Sequence, residues 1–278
     1  MFGGATVPNR QSKTYRACRL PSLVVLAVAW LVAITFPAAA QMARSTPNIT
    51  ALTVKTPRGG FNRMVVSVTV CAPGTQRCAT IDDVMVDTGS TGLRIEASAL
   101  PASLGLPPVL GPDAAPLGEC LRFVHSAAWG PLVRADVRLG VLTARNIPIQ
   151  VFDDGAQEQP DGCPRSDVRP TANGTLGIGV HLLDCQATCE QSATAPGVFE
   201  LQAGSWVPLS GSVAPAFRVP NPVSRFQVHS NGIIIDLPAA RPGGEKEVTG
   251  TLTFGLGTAT DNRLEDARII RLRRRRRS

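Results

Sequence analysis

The sequence predicts a mainly β domain, and three observations carry that expectation. Val, Ile and Thr fall in short runs between turn residues; Gly (26) and Pro (23) are frequent while aromatics make up 5% of the chain; and several runs alternate with a period of two. With 278 residues and 44% hydrophobic content, the chain has enough apolar surface to bury a core.

Residues 1–40 read as a secretory signal ahead of the fold. Arg10, Lys13, Arg16 and Arg19 form a positive region, residues 23–36 are an apolar run, Pro37 breaks it, and Ala38, Ala39 and Ala40 supply small residues for cleavage. A retained membrane anchor is the competing reading, but the run is shorter than the roughly 20 residues that span a bilayer. The expectation is an exported chain, periplasmic or secreted, with no membrane attachment after cleavage.

Residues 41–60, QMARSTPNITALTVKTPRGG, read as a flexible lead-in, and residues 61–270 as the folded lobe. The lobe opens with FNRMVVSVTV and CATIDDVMVDTGS, two β runs joined by the turn APGT. Residues 101–119, PASLGLPPVLGPDAAPLGE, form a Pro/Gly-rich stretch that should hold no buried strand. PLVRADVRLG then places Val133, Ala135, Val137 and Leu139 on one side, and NIPIQVF does the same with Ile147, Ile149 and Val151. NGTLGIGV is an apolar run punctuated by glycines. Residues 191–222 lack a regular pattern and read as a long surface loop, while FQVHSNGIIIDLP and VTGTLTFGLG read as strands closing the sheet. No internal repeat is present.

Without Cys18, six cysteines remain, and in an oxidising compartment disulfides are their expected use. Cys71 and Cys78 flank a turn and Cys185 and Cys189 enclose a short loop, which leaves Cys120 with Cys163. This is the most local of the 15 pairings that six cysteines allow. Zinc is the competing use. The spacings are not CxxC, and His125, His181 and His229 stand singly, so neither a metal nor any other cofactor is expected.

The net charge of +7 suggests nucleic acid until it is located. Four of the 28 Lys and Arg lie in the signal, and six more, Arg271 and Arg273 to Arg277, in the tail RLRRRRRS. The remaining 18 face 21 Asp and Glu, so the body is about −3 and no nucleic-acid partner is expected. The tail at 271–278 has two readings: a polybasic segment drawn to anionic surfaces, or arginine codons produced by reading a GC-rich gene out of frame.

The chemistry-bearing stretch is Asp87-Thr88-Gly89-Ser90. Val84 and Val86 would anchor the strand before it, so that Asp87 emerges at the strand end with a fixed direction. Gly89 would let backbone N–H groups approach the carboxylate, and the Thr88 and Ser90 hydroxyls could support it. An ordinary Asp-initiated turn is the competing reading.

The order of apolar strand, DTGS, second strand, hairpin, and NGTLGIG about 90 residues later resembles the amino-terminal lobe of pepsin-like aspartic peptidases. The resemblance is strongest to an exported bacterial pepsin-like family of unknown function (domain of unknown function 3443), over residues 61–270. It implies that Asp87 is the catalytic carboxylate, with Thr88, Gly89 and Ser90 as its support. It also implies that Leu176 and Gly177 belong to a ψ-shaped loop passing beside the D-T-G turn. WGPLVRADVRLGVLTARNIPIQVF is similar to the flap hairpin, with Trp129 near its tip as a substrate lid. A packed hairpin aromatic is the other reading of Trp129.

Two features depart from that pattern. Aspartic peptidases need two facing carboxylates, yet only one D-[ST]-G occurs. A second lobe would begin near Gly257, and the sequence stops 21 residues later, so the expectation is a single lobe truncated before the second. The flap also lacks tyrosine, since Tyr15 is the only one in the chain. A homodimer could supply the missing carboxylate, as retroviral peptidases do. The functional expectation is an exported aspartic endopeptidase-like protein, weakly active or inactive as it stands, whose partner is a peptide substrate or ligand. The alternative is a noncatalytic exported peptide-binding module.

Overall fold

Strand propensity and period-two burial yield twelve strands among the residues that the computed structural model of the chain describes, namely 48–56, 61–123, 127–152, 159–164, 171–185 and 194–270. The signal at 1–40, most of the lead-in, Cys189 and the arginine tail at 271–278 lie outside the described residues.

The strands are β1 (Ile49–Lys55), β2 (Arg63–Cys71), β3 (Cys78–Asp87), β4 (Thr91–Glu96), β5 (Leu117–Arg122), β6 (Ala127–Leu139), β7 (Leu142–Phe152), β8 (Gly174–Ile178), β9 (Thr194–Gln202), β10 (Ser205–Ser210), β11 (Ile233–Asp236) and β12 (Val248–Phe254). They pair in the order β10-β9-β5-β6-β7-β4-β8-β3-β2-β1-β12-β11. An additional pairing, β2 with β6 through Thr69↔Arg138 to Cys71↔Asp136, closes the central strands β2, β3, β8, β4, β7 and β6 into a ring. The main core fills this ring: Val66, Val68, Val70, Val84, Val86, Leu93, Ile95, Val137, Ile149 and Leu176 are all buried. A second cluster, with Val109, Leu117, Leu132, Val198 and Val219, lies under the outer strands β5 and β9.

The β2–β3 hairpin forms where the apolar runs on either side of APGT predicted it, and Cys71–Cys78 closes it at Cα–Cα 4.0 Å. The long β6 carries a bulge between Ala135 and Val137. Asp136, 3% exposed, sits at that bulge, where Oδ1 accepts the Asn146 N–H at 2.7 Å and Oδ2 accepts the Gly74 N–H at 3.1 Å. The carboxylate thereby satisfies one backbone donor beside the interrupted β6–β7 ladder and one in the β2–β3 turn.

Three expectations need correction. Residues 49–55 of the lead-in are not loose but form β1, paired with β12 and β2. Only Leu52 of that strand is buried, so its apolar alternation is weak and it is held chiefly by backbone pairing to distant segments. The loop expected at 191–222 contains the β9–β10 hairpin, whose two linking residues, Ala203 and Gly204, both have positive φ (49° and 86°). Such a turn fits the twist of a hairpin, but Ala-Gly lacks the usual Asn-Gly signature. Finally, Leu117, Gly118 and Glu119 end the Pro/Gly-rich stretch inside β5, all buried.

Candidate functional site

Asp87 ends β3, and the strands around it take the ψ-shaped arrangement. β8 runs parallel to β3, with Val86↔Leu176 and Asp87↔Gly177 as partners, and antiparallel to β4, with Gly92↔Gly177 and Leu93↔Leu176. Leu176, fully buried, fastens this strand into the core. Gly177 is required by the close approach of the returning chain: a Cβ there would lie 2.6 Å from Thr91 N and 2.7 Å from Ser90 Oγ. Asp87, Leu176 and Gly177, picked out separately in the sequence, therefore meet.

The carboxylate is half-buried, and its Oδ1 accepts the Gly89 N–H at 2.8 Å. That is the backbone support expected of Gly89. Thr88 and Gly89 are exposed, so the turn presents itself to solvent. The Ser90 backbone carbonyl accepts the Gly179 N–H at 2.8 Å, whereas its hydroxyl is buried and finds no hydrogen-bond partner. Hydroxyl support of the carboxylate by Ser90 is thus not present.

Trp129 does not sit on an exposed tip. It lies within β6, 2% exposed, with edge-on ring contacts to Phe199 (5.3 Å) and Trp206 (5.2 Å) beside the Cys120–Cys163 disulfide. A side chain so enclosed has almost no surface to offer a substrate, and of the two readings the packed aromatic describes it. Cys185 is also disulfide-bonded, and Cys189 lies outside the described residues.

The sequence reading missed a buried ionic group behind the turn. Arg94, 1% exposed on β4, donates through Nη1 to the Thr91 carbonyl at 2.5 Å. Its Nη2 reaches Glu119 Oε2 at 3.2 Å and Asp184 Oδ2 at 3.0 Å. Burial and the adjacent Glu119 push the Asp184 carboxyl well above the usual carboxylate range, against the opposing pull of Arg94 and the Val219 N–H. The one available signal was a charged residue between Leu93 and Ile95, in a strand too apolar to have a solvent face.

The chain leaving β8 forms a rim beside the turn. Val180 and Leu182 are 76% and 68% exposed, held by Asn221, whose Nδ2 donates to the Gly179 carbonyl at 3.0 Å and whose N–H donates to the Leu182 carbonyl at 3.0 Å. Among the described residues no group of His, Cys, Asp and Glu is placed to hold a metal ion, and no helix is long and apolar enough to cross a membrane.

Residues 44–277 match the family described as Protein of unknown function (DUF3443). Comparison with curated proteins gives no match. Among solved structures, the chain is similar to an aspartic proteinase from Irpex lacteus, at 16% identity and a TM-score of 0.43, over 77% of this chain and 49% of that one. The chain spans about half the length of that enzyme. It belongs to the DUF3443 family.

Proposed function

We propose that this member of the family is an exported protein carrying one half of an aspartic endopeptidase-like site, with Asp87 as its carboxylate. The observation that supports the reading is the placement of Asp87 at the end of β3, beside Gly177 and accepting the Gly89 N–H, on a turn open to solvent. In the reaction class, one carboxylate takes a proton from the attacking water while a protonated twin donates to the peptide carbonyl. Asp87 can perform the first of these acts. On this reading a chain that supplies Asp87 alone has no donor for the second act, and its cleavage is weak or absent.

A second reading is a noncatalytic module that holds an extended peptide. The exposed apolar pair Val180 and Leu182 beside the turn favours it. Incubating an unfolded protein substrate with wild type and Asp87→Asn across acidic pH separates the two. Acid-optimum cleavage that disappears in Asp87→Asn supports the peptidase reading, and cleavage that survives the substitution ends the assignment of Asp87. Peptide binding with no cleavage in either protein favours the module. Sedimentation of an active sample tells whether a second copy supplies the twin carboxylate; robust cleavage by a monomer overturns the half-site.

A further inference from the structure

Arg94, Glu119 and Asp184 come from three places in the chain: β4, β5 and the segment after β8. The guanidinium side chain is 1% exposed and each carboxylate side chain 5%. Both carboxylates contact the same nitrogen, Nη2, at 3.2 and 3.0 Å. The charge count is one positive against two negative. A surplus negative charge without water is costly, and two carboxylates so close repel one another. Holding one proton between them removes both costs and turns repulsion into a hydrogen bond.

We propose that Arg94, Glu119 and Asp184 form an acid-set clasp, in which the two carboxyls share one proton over the guanidinium and tie the strand behind the Asp87 turn to β5 and to residues 182–185. The inference stands apart from the peptidase reading and holds whether or not Asp87 takes part in catalysis. The clasp reaches the site through Arg94 Nη1 and the Thr91 carbonyl, and reaches the neighbouring segment through Asp184 Oδ1, which accepts the Val219 N–H at 3.1 Å.

The groups facing Asp184 are Glu119 from β5, Arg94 from β4 and the Val219 N–H. Nearby buried charges are Arg218, which precedes Val219, and Glu200 on β9, paired with Leu117 two residues before Glu119. His181 on the same segment is exposed, and the disulfide-bonded Cys185 does not titrate.

The direction of the pH effect follows from the raised Asp184 carboxyl. Between its value in the unfolded chain and its higher value in the fold, the folded protein holds a proton that the unfolded chain has released. The proton-linked part of the clasp is therefore fully present below the unfolded value, weakens as pH rises through this window, and is lost above the folded value, leaving the Arg94 ion pairs. An exported protein with such a clasp tightens in acidic surroundings.

Urea unfolding of wild type, Asp184→Asn and Glu119→Gln between about pH 4.5 and pH 7.5 tests this. Relative to either variant, the unfolding constant of wild type is expected to rise about tenfold per pH unit across the window. Parallel pH profiles in all three proteins would overturn the clasp. Should neither variant fold, infrared spectroscopy of native wild type titrated from acid through neutral pH decides: a protonated-carboxyl band that outlasts the ordinary carboxylate range supports the shared proton, and loss of all such bands within that range overturns it.

Discussion

Asp87 and Gly177 are direct partners in the parallel pair of β3 and β8, and the same glycine faces Gly92 on β4. A single residue without a side chain thus sets how close the acidic turn lies to the strand that supports it. A Cβ at Gly177 would lie 2.6 Å from Thr91 N and 2.7 Å from Thr91 C, backbone atoms that cannot rotate aside as the Ser90 hydroxyl could. Gly177→Ala is expected to cost about 1–3 kcal/mol, read as a lowered urea midpoint with the slope retained. An unchanged midpoint would mean that the turn swings aside at no cost.

Arg94→Met keeps most of the side-chain volume but strands Glu119 and Asp184 in the interior. Breaking a buried ion pair from one side costs about 3–5 kcal/mol, and that loss is expected at neutral pH. It should shrink on acidification, as the Asp184 carboxyl, already raised by burial and by Glu119, can then be neutral. Equilibrium unfolding at two pH values checks both statements.

The two described disulfides close loops of different length, with sequence separations of 7 for Cys71–Cys78 and 43 for Cys120–Cys163. On the loop-entropy account their removal costs about 2.4 and about 4 kcal/mol respectively. Paired serine substitutions, compared by denaturation under non-reducing conditions, should rank in that order.

Trp129→Ala empties the centre of an aromatic cluster and is expected to cost about 3–5 kcal/mol. Trp129→Phe should be much milder, because the indole Nε1 has no hydrogen-bond partner to lose. Peptide binding by the folded Phe variant should match wild type in a titration. A selective loss of binding would restore the tryptophan to the substrate side.

Legibility in the sequence followed the distance over which the deciding contact acts. The acidic turn was readable because Val84 and Val86 announce a strand and Asp87-Thr88-Gly89-Ser90 ends it, all within seven residues. The Cys71–Cys78 pair was readable because a turn separates its members. The ionic group was not: Arg94 meets Glu119 from 25 positions away and Asp184 from 90, and charged residues in isolation look like surface. Trp129 was ambiguous for another reason, since a large amphipathic ring suits a lid or a core equally well. In β1, the single buried Leu52 gave no alternation to detect.

The pairing of β1 with β12 sets Ile49 against Thr253, more than two hundred positions apart. A contact of that span cannot form until Thr253 has been made, and closing so large a loop is entropically unfavourable. Pairing of such sequence separation is expected to form late in folding, so that the edges of β1 and β12 stay open to other chains until it does.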